Sequence, residues 1–274
     1  MPELLELLPF VVTIAVAAII AGFLAGLFGI GGGAVLVPVF YQAFGWADVP
    51  DDVRMHLAVG TSLAIIVPTS IRSFMSHRQS GAVDMETLRT FLIAVPFGVL
   101  IATIVFASIS SVALRIIFAV FAILVAFKLL FGRDSWRLGT DLPGGFGRFA
   151  AGSGIGFLST LMGIGGGVLN NTFMALFGRP IHQAVATSSG VGVLISVPGL
   201  FGAIWAGWSA AGLPLVSTGF VNWLCVALVI PITLTLAPIG ARFAHGLEKR
   251  KLEVGFGIFL LIVAARFFIS VFYG

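Results

Sequence analysis

What most constrains this chain is how far it runs without charge. Residues 7–47 hold no Asp, Glu, Lys or Arg for 41 positions, 90–114 for 25, 149–178 for 30 and 183–241 for 59. A membrane-spanning helix needs ~20 apolar residues, so every block is long enough for at least one. Only 9% of the 274 residues are charged, and 59% are hydrophobic, whereas a soluble domain carries about 25% charged residues. Too few charges remain to cover a soluble surface. The sequence therefore predicts an all-α integral membrane protein.

Other classes fall on the same numbers. Disorder requires low hydrophobicity, and a disulfide scaffold requires many cysteines, whereas Cys225 stands alone. The net charge of +4 reflects the placement of loops in a membrane protein, so no nucleic-acid partner is expected. Glu3 and Glu6 stand where a secretory signal carries positive charge, and the first apolar stretch is read as a retained span. Paired carboxylates, metal-spaced Cys/His clusters and a Gly-x-Ser-x-Gly elbow in an α/β context are all lacking. Neither an enzyme nor a cofactor or metal is expected.

Glycine and proline cut the blocks into segments near 8–28, 34–45, 55–74, 90–108, 112–131, 149–163, 168–178, 183–205, 214–240 and 252–272. Segments 34–45 and 168–178 are short for a span, at ~17 Å or less of helical rise. They are half-helices or the far arms of re-entrant hairpins. Pro68, Pro96, Pro198, Pro231 and Pro238 fall inside segments and are expected to kink them.

The chain repeats itself. Gly22-Phe-Leu-Ala-Gly-Leu-Phe-Gly-Ile-Gly-Gly-Gly33 matches Gly156-Phe-Leu-Ser-Thr-Leu-Met-Gly-Ile-Gly-Gly-Gly167, and His56-Leu-Ala-Val-Gly-Thr-Ser62 matches His182-Gln-Ala-Val-Ala-Thr-Ser188. Ala94–Gly98 pairs with Leu236–Gly240, and Lys128 with Arg266, in the same order. Two membrane repeats, 8–131 and 149–272, are thus joined by a linker, 132–148. Charge gives their relative orientation. The connection 72–89 holds Arg72, His77, Arg78 and Arg89, while its counterpart 205–222 is uncharged. The connection 108–112 is neutral, while its counterpart 241–251 holds Arg242, Lys249, Arg250 and Lys251. Basic and neutral loops trade places, so under the positive-inside rule the repeats are inverted.

Each repeat then has about five transmembrane segments. Five crossings, or three plus a re-entrant hairpin, both satisfy the odd parity that inversion requires, and five plus five is the preferred count. The basic linker falls in the cytoplasm. Asp48, Asp51, Asp52 and both termini fall outside a multi-pass protein of the cell's cytoplasmic membrane.

Gly29-Ile-Gly-Gly-Gly33 and its repeat Gly163–Gly167 are too flexible for a helix interior, where each Gly costs ~1 kcal/mol against Ala. Irregular backbone survives at membrane depth only inside protein or beside a wet cavity. A glycine turn that opens a helix also aims free N–H groups and the positive dipole end at one point, which suits an anion. Close helix packing is the competing explanation; two clusters at equivalent places in inverted halves favour a site.

These paired glycine runs, each followed by a short apolar segment and then Ala-Val-(Gly/Ala)-Thr-Ser, resemble the sulfite exporter TauE/SafE family across about residues 10–272. The resemblance implies a cytoplasmic-membrane permease for sulfite or other small sulfur-containing anions. One departure is that Ala34–Pro38 in the first half faces Val168-Leu-Asn-Asn-Thr172 in the second, which makes the site chemically asymmetric.

The expected substrate-binding residues are Gly31, Gly32, Gly33, Thr61, Ser62, Gly165, Gly166, Gly167, Asn170, Asn171, Thr187 and Ser188. Hydroxyls donate to sulfite oxygens without adding charge; bonding back to their own helix is the alternative. Asn170 and Asn171 are costly inside a charge-free block unless satisfied. His56 and His182 are candidates for proton or anion contacts, or else sit at the membrane interface. Lys128, Arg266 and Arg115 lie near segment ends and are expected to snorkel. Trp205, Trp208 and Trp223 read as interface anchors.

No carboxylate lies inside a charge-free block, so proton or Na⁺ coupling through an intramembrane acid is not indicated. The expected function is alternating-access export of a small anion, with the lipid bilayer as its other partner and a homo-oligomer left open. Two alternatives stand beside it: a transporter of another small solute, cation or organic acid, and a non-transporting membrane assembly subunit.

Overall fold

The computed structural model describes residues 2–28, 33–132, 137–245 and 248–272. They form ten α-helices, five from each half of the chain. In the first half these are α1 Pro2–Phe28, α2 Gly33–Trp46, α3 Asp51–Gln79, α4 Met85–Ser108 and α5 Ser111–Phe131. In the second they are α6 Gly145–Leu161, α7 Gly167–Leu176, α8 Ile181–Ala206, α9 Trp223–His245 and α10 Lys249–Phe272. A two-residue β-hairpin, β1 Ser217–Thr218 and β2 Val221–Asn222, precedes α9.

Helices α3, α4, α5, α8 and most of α10 are long and apolar enough to cross a bilayer, and shorter apolar stretches lie in α1, α2 and α9. Leu92, Ile93, Leu100, Ile104, Leu124 and Ile262 are among the large apolar side chains on the outer face. Such a surface has no place in water. The protein is a multi-pass, all-α membrane protein.

Local signals set the helix starts. Asp84 accepts from Thr87 N–H at 3.0 Å and opens α4. Asn222 accepts from Cys225 N–H at 2.9 Å and opens α9. Ser110 accepts from Ala113 N–H at 3.2 Å and opens α5. Pro50 and Pro180 immediately precede α3 and α8. Each proline is the N-cap residue of the third helix of its half.

Packing is exchanged between the halves. α1 lies along α9, and reciprocally α6 lies along α4; α3 crosses α8, and α5 packs on α10. The α4–α6 seam is close because a Cβ on Gly98 would strike the Ser153 carbonyl and one on Gly156 the Val95 carbonyl. Ser153 adds a hydrogen bond to the Ala94 carbonyl at 3.0 Å.

Two poles follow from the contacts. At one, carrying Asp48, Asp51 and Asp52, the ends of α2 and α10 meet the starts of α3 and α5. At the other, carrying His77, Arg78 and Arg148, the start of α6 meets the start of α4 through Arg148 and Glu86 at 3.5 Å. The end of α7 returns to this basic pole, where Leu138 N–H in the linker donates to the Leu176 carbonyl at 2.8 Å. Helices α6 and α7 therefore make a helical hairpin that begins and ends at this pole, followed by the long helices α8, α9 and α10.

Arg115 departs from the snorkelling expected of it. It is 1% exposed, with one guanidinium nitrogen 2.5 Å from Asp51. The other donates to Tyr41 at 2.9 Å and to the Ser270 carbonyl at 3.0 Å. Tyr41 in turn donates to Asp51 at 2.9 Å. An inward-facing arginine joined to a carboxylate has its charge satisfied within protein, so it has no need to reach the interface. Arg266, by contrast, is exposed.

Candidate functional site at the glycine turns

The two glycine segments meet. A Cβ on Gly33, the first residue of α2, would lie 2.7 Å from both the Gly163 carbonyl oxygen and the Ile164 Cα. Gly31 and Gly32 lie outside the described residues. In the second half the whole turn is visible. Gly163 and Ile164 close α6 by donating to the carbonyls of Thr160 at 3.1 Å and Ser159 at 2.9 Å, a Schellman-type end that places Gly163 at φ +63°. Gly166, at φ +72°, then precedes α7, and no side chain caps that helix. A side chain at either position would be strained and would collide: on Gly163 with Val37 and Val59, on Gly166 with Ile195 at 2.6 Å. Gly165 packs on Ile66, and Gly192 of α8 packs on the Gly165 carbonyl.

The hydroxyls expected around these turns are all buried, and each has a different partner. Ser62 donates to the Gly163 carbonyl at 2.8 Å, so α3 of the first half holds the turn of the second. Thr61 accepts from Asn222 N–H at 3.1 Å, and Thr187 accepts from Asp84 N–H at 2.9 Å. Asn222 and Asp84 are the residues that open the fourth helix of each half, so the two threonines make one crosswise clamp, seen twice. Ser188 joins the adjacent amides: Asn170 Nδ2 donates to it at 2.8 Å, and its hydroxyl donates to Asn171 Oδ1 at 2.6 Å.

Asn170 is fully buried, and its Oδ1 has no partner. Turning both amides about their Cβ–Cγ bonds preserves both contacts to Ser188, because that hydroxyl donates and accepts in either case. Asn170 then presents an NH₂ on the side where its Oδ1 has no partner, giving up its 3.4 Å contact with Met174 Sδ. The counterparts in the first half are Leu36 and Val37, so this pair of amides belongs to the second half alone.

The histidines do not reach this centre. His56 sits near the start of α3, its Nε2 donating to the Ile109 carbonyl at 3.0 Å. Its ring lies 4.8 Å from Phe220 and 4.9 Å from Phe106. His182 is exposed near the start of α8. Two groups at the centre escape sequence reasoning. Ser70 and Ser196 face each other at 3.5 Å, and the register that aligns His56 with His182 also aligns these two. Ser159, one turn before the glycine turn, is the other. Beside Ile164 and Val168 lies an apolar cleft of about 10 Å³, lined also by Ala34, Phe118, Ala122 and Met162. That is room for about one water.

The fold and these turns define a helical membrane protein with a glycine-bounded helical hairpin in its second half. Compared with known proteins, residues 14–267 match the sulfite exporter TauE/SafE family. The chain belongs to that family. It is 30% identical over 261 residues to a probable membrane transporter protein of Haemophilus influenzae, covering 95% of this chain and 99% of that one. It is 29% identical over 255 residues to a probable membrane transporter protein of Methanocaldococcus jannaschii, covering 92% of each. A third, a probable membrane transporter protein of Bacillus subtilis, is 26% identical over 274 residues, covering 93% of this chain and 96% of its own length. No solved structure matches the chain.

Proposed function

We propose that this chain is a permease of the cytoplasmic membrane for small sulfur-containing anions of the sulfite or organosulfonate type. It works without catalysis, by alternating access about the glycine centre. Two inverted repeats, 8–131 and 149–272, rock against each other, with the linker 132–148 in the cytoplasm and both termini outside. The contact of Gly33 with Gly163 and Ile164 carries this reading. It supports one site where the two halves meet, beside an uncapped helix start that suits negative charge. The exchanged packing of α1 on α9 and α6 on α4 supports the inverted repeat. Family membership supports the sulfur anion as cargo.

An interior-negative potential already favours outward movement of an anion, by ~2.3 kcal/mol per charge at 100 mV. Export therefore needs no intramembrane acid. The test is flux of radiolabelled sulfite from proteoliposomes holding the purified protein. Sulfite efflux that rises with interior-negative potential and is competed by thiosulfate or sulfonates supports the reading. Flux indifferent to voltage, or to sulfur anions, refutes it.

A further inference from the structure

Among the buried hydroxyls near the glycine turns, Ser159 is the one left without a partner. It is fully buried in the last turn of α6, and its Oγ makes no hydrogen bond. Its neighbour Thr160 shows the ordinary alternative, donating to the Gly156 carbonyl one turn back at 2.8 Å. Ser159 does not take that route. Its Oγ instead lies 3.7 Å from where a Cβ of Gly166 would be, beside the uncapped start of α7.

The second orphan atom is on α7 itself. Asn170 follows Gly166 by one turn, and its backbone N–H donates to the Gly166 carbonyl at 2.8 Å. Side chains on a helix lean toward its N-terminus, so the Asn170 amide leans back over the first turn. Its unpartnered end is fully buried. Burying one polar group without a partner is costly, and two beside one helix start is unusual for a native interior.

We propose that Ser159 and Asn170, with the first-turn N–H groups of α7, form the anion-recognition element, and that it binds one small oxyanion per chain. This rests on the permease reading and deepens it by naming the second-half groups, beside the contact between the halves, that take the anion. The hydroxyl donates to one oxygen, the amide NH₂ to a second, and the helix start to a third. The first half has no such element, because Ala25 and Leu36 stand at the equivalent positions. In this structure Ile195 and Val191 of α8 close over Gly166. Withdrawal of that face of α8 admits the anion, and Ser188 on the same helix couples the movement to Asn170.

The experiment uses the full-length purified protein, with sulfite and, as a redox-stable probe, sulfate. Binding is measured by calorimetry and thermal stability without anion by melting. A hydrogen bond to a charged ligand is strong enough that S159A is expected to weaken anion binding by about tenfold or more. Its melting temperature without anion should stay level or rise, since an unpartnered buried hydroxyl has been removed. N170L, which installs the first-half residue, is expected to abolish binding, and T160V to retain it. One anion per chain should saturate the wild type. S159A binding as tightly as wild type, or losing anion-free stability in step with affinity, overturns the assignment and leaves the permease reading standing. A wild-type protein that binds no small anion overturns both.

Discussion

At the scale of single residues, the hydroxyls that follow the glycine motifs have two kinds of work. Thr61 and Thr187 each accept a backbone N–H from the residue that opens the fourth helix of the other half. Removing such an acceptor strands a buried donor, at about 1–3 kcal/mol. T61V and T187V should therefore each lower stability by about that much, read as a drop in melting temperature in detergent, while the order of preference among anions stays as in wild type. A change of that order would show that they touch substrate. The sequence shows these residues as a matched pair but not their roles, because their partners sit in loops more than a hundred residues away. Ser159 escaped notice for a related reason: nothing in a sequence distinguishes a serine that bonds back to its helix from one that does not.

At the scale of elements, nine of the ten helices lie within a few residues of the segments that glycine, proline and charge mark out. The exception is α9. The apolar run 214–240 reads as one segment, whereas the chain makes the β1–β2 hairpin first and begins α9 at Trp223. Composition within a charge-free block does not separate a short buried hairpin from a helix, and the capping role of Asn222 shows only in three dimensions. Glycine is better defined at the α4–α6 seam. With Gly156 against the Val95 carbonyl, a larger residue must push the helices apart. Overpacking of this kind costs about 1–3 kcal/mol. G156L should lower the melting temperature, and G154L, where a Cβ meets open space, should not. Equal losses from both would mean that the seam is not what Gly156 serves.

At the scale of the whole molecule, basic and neutral loops trade places between the two halves of the sequence, and helix contacts are exchanged between them as well. What charge placement could not decide is whether the short helices cross, since a hairpin and a full crossing leave the same loop signs once parity is fixed. In the second half α7 turns back to the linker, so α6 and α7 form a hairpin. At the acidic pole, Arg115 ties α5 to α3 through Asp51, to α2 through Tyr41 and to α10 through Ser270. Breaking a fully buried ion pair costs about 3–5 kcal/mol. The Asp51 side chain is 43% exposed, so D51N should cost nearer 2 kcal/mol. A double-mutant cycle of D51N with R115M, read by melting, should show coupling between the two; strict additivity would contradict this link.

The central claim is that a small oxyanion passes the glycine turn at the start of α7. Gly166 is the residue on which it depends most directly, because its φ of +72° and its contact with Ile195 leave no room for a side chain. The decisive measurement is radiolabelled sulfite flux through proteoliposomes holding equal amounts of folded wild-type protein or G166V. Voltage-driven flux is expected in the wild type, and its loss in G166V. Sulfite flux through G166V at the wild-type rate would contradict it.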